Sequence, residues 1–276
     1  MEDLSSSASG KQFMGSDNSQ LNEGQHDMNI APDVSIVIPA YNESQHLPKS
    51  LEAIENHFNI RNLTREILVV DDGSQDDTVQ IVSDLSNQIT GLKVITNGRN
   101  RGKGFAVRRG MLEAIGNLIL MSDADQSSPI EEMDKLLPPI QNGQTDIAIG
   151  SRALEESLID IHQPFYRERL GCFYNDLIQL FVLRGIKDTQ CGFKLFRREV
   201  VRDVFPRMQL DGFAFDVEVL FVARKLGYRI SEIPITWRND PDTRIKLFRH
   251  GSKMLADLFR IRWNDYKGLY NSGPHQ

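Results

Sequence analysis

Three groups of charged residues each stand directly behind a short apolar run, and their spacing suggests one site. Asp123-Ala124-Asp125 follows Leu118–Met121. Hard carboxylate oxygens two residues apart on an extended segment can face one Mg²⁺ or Mn²⁺, which would also bridge a diphosphate. A lone D-x-D is common by chance; its place behind an apolar run, with a second acidic pair upstream, gives it weight. That pair is Asp71-Asp72, between Ile67-Leu68-Val69-Val70 and Gly73-Ser74. It suits hydrogen bonding to a ribose hydroxyl or a base edge, and equally an Asx turn capping the next helix. The third group is Asn97-Gly98-Arg99-Asn100-Arg101-Gly102-Lys103-Gly104. Its glycines admit close approach to a ligand, and Lys103 at a helix start favours an anionic phosphate. The alternative is a solvated basic loop, to which Arg108 and Arg109 mostly belong.

These groups need a scaffold, and the chain supplies one. Val34–Ile38, Glu66–Val70, Leu92–Thr96, Asn117–Met121 and Asp146–Ile149 are short apolar or β-branched runs. Between them lie segments of helical spacing: Leu47, Leu51 and Ile54; Val79, Val82, Leu85 and Ile89, with Asp76 or Asp77 as cap; Ala106, Gly110, Met111 and Ala114; and Met133, Leu136 and Leu137. This alternation predicts an α/β fold, a doubly wound and mostly parallel sheet covered on both faces, with right-handed crossovers. Ligands of such sheets sit beyond the carboxyl ends of the strands. Pro39-Ala40-Tyr41-Asn42-Glu43, Asp71-Asp72 and Asp123-x-Asp125 all fall there. The second half is less regular: a helix over about 164–182, a strand over 192–196, a helix over 216–226, a strand over 230–235 and an amphipathic helix over 251–263, the whole forming a smaller mixed region on the acceptor side.

Bulk composition narrows the function classes. The chain has 276 residues, 40% hydrophobic and 25% charged, with a net charge of -6, which argues against general nucleic-acid binding. Its two cysteines, Cys172 and Cys191, form no metal or redox pattern and fit a reduced intracellular protein. No secretory signal is present, and no run reaches the roughly 18–20 apolar residues of a membrane span. Residues 1–32 are rich in Ser, Asn, Gln, Gly and Asp and read as a disordered tail. Residues 33–243 read as the folded domain, and 244–276 as a basic amphipathic helix and tail.

The turn after the first strand lacks GxGxxG, which disfavours a Rossmann dehydrogenase, and the chain has no GxxxxGK[ST]. The runs VSIVIPAYNE, VVDDGS, NRGKG, DAD, Gly150-Ser151-Arg152 and Gln190-Cys191-Gly192-Phe193-Lys194 together resemble family-2 glycosyltransferases of the GT-A fold, particularly the polyprenyl-phosphate branch with its dolichyl-phosphate glucosyltransferases and mannosyltransferases. The resemblance extends from about Val34 to Trp263. It implies that Pro39, Ala40, Tyr41, Glu43 and Asp72 contact the nucleobase and ribose, with Asp71 supporting their loop. Lys103 would lie near the donor, and Asp123 and Asp125 would hold sugar, diphosphate and metal. Mannose-lipid relatives often read DADxQ; here Ser127 takes that position and Gln126 precedes it, so either is a candidate third ligand. Arg152, with Arg167 or Arg169, would grip the acceptor phosphate, because guanidinium forks match phosphate oxygens. For each the alternative is an ion pair, with Glu168 an available partner. Gln190, Asp216 and Glu218 match acceptor-side positions, and Cys191 reads as a packed thiol.

The implied reaction transfers a hexose, UDP-glucose being the favoured donor, to a polyprenyl phosphate with inversion. The basic residues Arg244, Lys246, Arg249, Lys253, Arg260 and Arg262 alternate with Phe248, Leu255, Leu258, Phe259 and Ile261. This pattern fits an interfacial helix on an anionic cytoplasmic leaflet, or a helix packing its apolar face on the domain. Other readings are a family-2 transferase with a soluble acceptor, a nucleotidyltransferase, which would carry a glycine-rich basic loop after its first strand, and a non-catalytic nucleotide-sugar binder, which would tolerate loss of Asp123 or Asp125.

Overall fold

A computed structural model of the chain describes residues 31–161, 165–238 and 247–271. The expected tail, over most of its length, lies outside those residues. The elements run β1 Val34–Ala40, α1 Leu47–Arg61, β2 Arg65–Asp71, α2 Thr78–Leu85, β3 Leu92–Thr96, α3 Lys103–Glu113, β4 Leu118–Met121, α4 Met133–Gln141 and β5 Ile147–Ser151. There follow β6 Leu158–Ile161, α5 Phe165–Phe181, β7 Lys194–Arg197, α6 Arg198–Val204, α7 Phe215–Lys225, β8 Ile230–Pro234, β9 Thr236–Arg238 and α8 Leu247–Tyr266.

Seven strands form one sheet in the order β3-β2-β1-β4-β7-β5-β8, and β6 pairs with β9 in a second, two-stranded sheet. Every neighbouring pair in the large sheet is parallel except those made by β7, which runs antiparallel to β4 and β5. Residue parity explains the layers, because successive side chains along a strand point to opposite faces. Val37, Leu68, Val70, Ile119 and Met121 share one core with Ala106, Ile178, Val201, Phe215, Leu258 and Ile261, so α3, α5, α6, α7 and α8 cover that face. Ile36, Ile38, Ile67, Val69 and Leu120 share the other with Leu51, Ile54, Val82, Met133 and Leu136, so α1, α2 and α4 cover the opposite face.

One pair of strands departs from the sequence-based expectation, and the last helix takes one of the two readings the sequence left open. The short strands β6 and β9, four and three residues long, have too few positions to show a two-residue period. Helix α8 is an integral wall of the domain, since Leu258 and Ile261 are buried in the core it shares with α7.

Register brings the strand ends into line. Ala40 pairs with Asp71, Asp71 with Thr96, and Val37 with Met121. Because β7 is reversed, its first residue, Lys194, pairs with Met121 at the carboxyl end of β4 and with Ile149 in β5. The segment entering β7 therefore arrives beside Asp123.

Candidate active site

The β1 and β2 exits are stitched together by loop hydrogen bonds. Asn42 N donates to Ser74 Oγ at 2.8 Å, Asn42 Oδ1 accepts from Gln75 N at 2.7 Å, and Glu43 N donates to Thr78 Oγ1 at 2.8 Å. Asn42 takes a positive φ of 58°, which asparagine tolerates better than most residues. Asp71 accepts from Gly73 N at 3.1 Å and Ser74 N at 3.0 Å, the Asx-turn geometry weighed from sequence. Asp76 accepts from Thr78 N at 3.1 Å and so serves the start of α2. Tyr41 is 37% exposed at the rim of this platform.

Asp72 is buried, and its carboxylate faces the basic loop. It accepts from Asn97 Nδ2 at 2.9 Å, from Arg101 N at 3.0 Å and from Gly102 N at 2.7 Å. The backbone donors of Arg101 and Gly102, just ahead of α3, are thus already used by a protein carboxylate, which a helix N-terminus favours as it would a phosphate. Gly102 has a different use from the expected approach to a ligand. Gly102 sits at φ 112°, and a Cβ there would lie 2.3 Å from the Asp211 carbonyl oxygen, so a side chain is excluded by the chain ahead of α7. Arg109 is spent on the Thr96 carbonyl, Asn97 and Glu113, and Arg108 on the Met208 carbonyl. Both hold neighbouring segments together, where the sequence reading placed them with a solvated loop.

Lys103, the first residue of α3, reaches across to β4, where its Nζ lies 2.7 Å from Asp123 Oδ1. Burial alone would lower the Lys103 pKa, but Asp123, Asp216 and Asp125 outweigh it and hold the ammonium well above its usual range. Asp125 is shifted the other way from a normal carboxylate: burial first, then the charge of Asp123, raises its pKa against the opposing hydrogen bond from Ser127 N at 2.9 Å. Two neighbouring carboxylates with one lysine leave negative charge to be offset, which is the chemistry of a hard divalent cation.

Of the two candidate third ligands, Gln126 turns away and Ser127 stays beside Asp125. Gln126 adopts φ 50°, and its Nε2 donates to the Ser50 carbonyl at 2.9 Å, so its amide braces α1. Ser50 Oγ in turn donates to the Ala124 carbonyl at 2.6 Å. Among the described residues no group of three or more His, Cys, Asp or Glu is placed to hold a metal. A cation on Asp123 and Asp125 would draw its remaining ligands from other oxygens, such as the Ser127 hydroxyl or a diphosphate.

The β7 entry contributes what sequence reasoning underused. A Cβ on Gly192 would lie 2.0 Å from Asp123 Oδ2, so the bare glycine gives that carboxylate its place. Lys194, buried, ion-pairs with Asp216, also buried, on α7. Burial raises the Asp216 pKa, countered by Lys194 and Lys103. The charges of Lys103, Asp123, Asp125, Lys194 and Asp216 thus form one mutually interacting group. Cys191 is a buried free thiol pushed up to about 11 by burial, which suits packing rather than nucleophilic attack.

On the acceptor side, Arg152 forms a fork with Asp188, Nε to Oδ2 at 2.7 Å and Nη2 to Oδ1 at 2.9 Å, reinforced by its own backbone N at 2.9 Å. Its ion-pair partner is therefore Asp188, where the sequence offered Glu168. Burial works to raise the Asp188 pKa, but the Arg152 fork overcomes it and holds the carboxyl below its ordinary range. Glu232 on β8 fixes the pair by accepting from Asp188 N at 2.8 Å, Lys187 N at 2.7 Å and Ser151 Oγ at 3.0 Å. Arg152 Nη1 stands outside the fork, and the guanidinium lies 5.4 Å from the Trp237 ring centre. Gln190 N donates to Asp188 Oδ1 at 3.3 Å. Arg167 and Arg169 fall on α5, but their side chains lie outside the described residues.

Glu218 does not join the site. It is fully buried and accepts from Gln209 N at 3.0 Å, Leu210 N at 2.9 Å and Tyr270 Oη at 2.7 Å, tying the chain after α8 to α7. Two residues beyond Asp216 on a helix, it points to a different side. Asp188 and Lys194 were missed as partners because ion pairs between distant segments leave no local spacing to read.

Comparison with known proteins supplies the fold family and the lineage. Residues 35–205 match glycosyl transferase family 2. A dolichyl-phosphate beta-glucosyltransferase of Trichomonas vaginalis is 37% identical over 237 residues, 83% of this chain and 72% of that protein. One of Saccharomyces cerevisiae is 36% identical over 267 residues, 91% of this chain and 79% of that protein. Among solved structures, mannosyl-3-phosphoglycerate synthase from Rubrobacter xylanophilus superposes with a TM-score of 0.67 at 21% identity, covering 86% of this chain and 75% of that one. Glucosyl-3-phosphoglycerate synthase from Mycobacterium tuberculosis, crystallised with Mn²⁺ and UDP-glucose, gives 0.62 at 16% identity, covering 83% and 78%. These structural likenesses establish the fold, GT-A, and the sequence matches establish the lineage: the chain belongs to glycosyl transferase family 2.

Proposed function

We propose that this glycosyltransferase moves glucose from UDP-glucose to a polyprenyl or dolichyl phosphate, with inversion and with Mg²⁺ or Mn²⁺ at Asp123 and Asp125. The observation that carries the reading is the Lys103–Asp123–Asp125 group at the β4 exit, flanked by the platform of Pro39, Ala40, Tyr41, Glu43, Asp71 and Asp72. The names of the similar proteins supply the substrate class. A bound divalent cation would offset the charge that grows on the departing diphosphate. Lys103 holds Asp123 oriented, and the Asp72-bound loop holds Lys103. A bond forms between an acceptor phosphate oxygen and the anomeric carbon as the bond from that carbon to the diphosphate oxygen breaks.

Asp216 bears on the acceptor. A sugar hydroxyl would need a base, and this carboxylate is committed to Lys194 in the interior. A phosphate monoester has its second pKa near ~6 and is already largely ionised at pH 7. The arrangement of Asp216 therefore supports a phosphate acceptor. The nucleotide platform, Arg152 and Gln190 are assigned roles only within this reading.

The reading also includes docking on an anionic, cytoplasm-facing leaflet. Among the described residues no helix is long and apolar enough to cross a membrane. The outward stripe of α8 exposes Phe259, Trp263 and Tyr266 beside Arg260, Arg262 and Lys267, an aromatic and basic mixture suited to a lipid interface. The decisive experiment is a donor screen with Mg²⁺ or Mn²⁺ and polyprenyl phosphate, following both nucleoside diphosphate and glycolipid. Glucolipid from UDP-glucose is expected. Donor hydrolysis with no lipid product for any donor would overturn the acceptor assignment in favour of a soluble phosphorylated acceptor.

A further inference from the structure

A recess of about 220 Å³ opens beside Lys103, bordering the loop that Asp72 holds. Its walls come from three separate segments: Arg101 and Lys103 at the start of α3, Gly212 and Phe213 ahead of α7, and Lys253 and Asp257 on α8. Drug-sized ligands occupy roughly 300–1,000 Å³, so this volume admits one group of a larger substrate. Three cations face one carboxylate. Lys103 is already paired with Asp123, and Arg101 lies flat over the Phe105 ring at 3.5 Å. Lys253 differs: its charge acts on Asp257, one turn further along α8, across the floor of the recess. Its ammonium stands over Gly212, where a Cβ would be 3.9 Å from Nζ and 3.8 Å from Asp257 Oδ2. The Asp257 carboxyl is raised by burial, against the opposing charges of Lys253 and Arg260.

We propose that this recess is an oxyanion subsite in which Lys253 and Arg101 take a phosphate group of a substrate beside Lys103. The assignment rests on the transferase reading of the neighbouring site. It gives α8 a second role, one side lining the reaction cleft while the other presents the aromatic stripe. A phosphate carries about -1.5 to -2 charges at pH 7, and lysine binds it as a mobile point charge. Two sources supply that chemistry: the diphosphate of the donor and the monophosphate of the acceptor.

The test uses the full chain with Lys253→Gln and Lys253→Arg at this exposed position, each checked by a thermal melt against wild type. Steady-state KM is measured separately for UDP-glucose and for detergent-dispersed polyprenyl phosphate, and UDP binding by calorimetry. Lys253→Gln is expected to raise the KM of one substrate about tenfold, with Lys253→Arg restoring most of it. A rise confined to polyprenyl phosphate identifies the acceptor as the source; weaker UDP binding with a raised UDP-glucose KM identifies the donor. Both constants within twofold of wild type would overturn the subsite. If the wild type forms no glycolipid, the transferase reading fails on its own account. The subsite is then decided by titrating UDP and inorganic phosphate into wild type and Lys253→Gln, where equal affinities would refute it.

Discussion

Replacing Gly192 by alanine isolates the contribution of backbone shape to the site. Gly192 is not among the positive-φ glycines, so alanine meets no backbone penalty there and the perturbation is purely steric. The added Cβ would lie 2.0 Å from Asp123 Oδ2, 2.4 Å from Cγ and 2.7 Å from Oδ1. Carbon and its neighbours rest at roughly 3.5–4.0 Å, so the carboxylate must retreat by about 1.5 Å. Oδ1 is also the atom that Lys103 holds at 2.7 Å, so the shift breaks the orientation of both groups. A misplacement of about 1 Å at a reacting centre costs on the order of 100-fold, or about 2.7 kcal/mol of barrier. The Asp123 side chain is 33% exposed, which gives it room to swing outward and leaves the fold intact. The assay pairs kcat/KM for nucleoside diphosphate release with a thermal melt followed by near-UV circular dichroism. The expected result is a roughly 100-fold loss of kcat/KM with Tm within a few degrees of wild type. Activity within about threefold of wild type, with the same melt, would refute the claim that Gly192 positions Asp123.

Other outcomes follow from the same contacts. Asp125→Asn should abolish most activity and weaken Mn²⁺ binding in the presence of UDP; unchanged Mn²⁺ affinity by paramagnetic resonance would remove Asp125 from the metal site. Lys194→Met should cost about 3–5 kcal/mol in urea unfolding, because it strands buried Asp216, whereas Lys194→Met with Asp216→Leu should recover most of that stability. Asp188 has a depressed folded pKa, so its contribution to stability is present above the unfolded carboxylate value of about 3.9 and is lost as pH falls through the folded value. Arg152→Gln should therefore lower Tm most at pH 7, with the gap to wild type narrowing as pH falls towards 3, and a gap that stays constant from pH 3 to 7 would contradict the linkage. With polyprenyl phosphate as acceptor, activity should stay nearly flat above about pH 7; a steep rise through pH 8–9 would indicate a hydroxyl nucleophile. Flotation with anionic liposomes should be lost in Phe259→Ser/Trp263→Ser, both residues being exposed, and absence of wild-type binding at low salt would exclude the docking face.

The sequence by itself determined the strand-helix alternation, the strand ends and the acidic motifs that stand on them. Those signals are local: apolar runs of β length, helical spacing, and carboxylates one or two residues apart. Leu47, Leu51, Ile54, Val82 and Met111 were legible for that reason, and all are buried in the two cores. Only the tertiary structure decided which charges meet. The reversal of β7 brings Gly192 against Asp123 and Lys194 against Asp216, although Asp123 and Gly192 are far apart in the chain. It also showed that the Gly102 turn is shaped by Asp211, that Arg152 answers to Asp188, and that Glu218 serves the interior. Long-range pairing carries no period along the chain, so the partners of Asp123-Ala124-Asp125 emerged only when the strands were laid side by side.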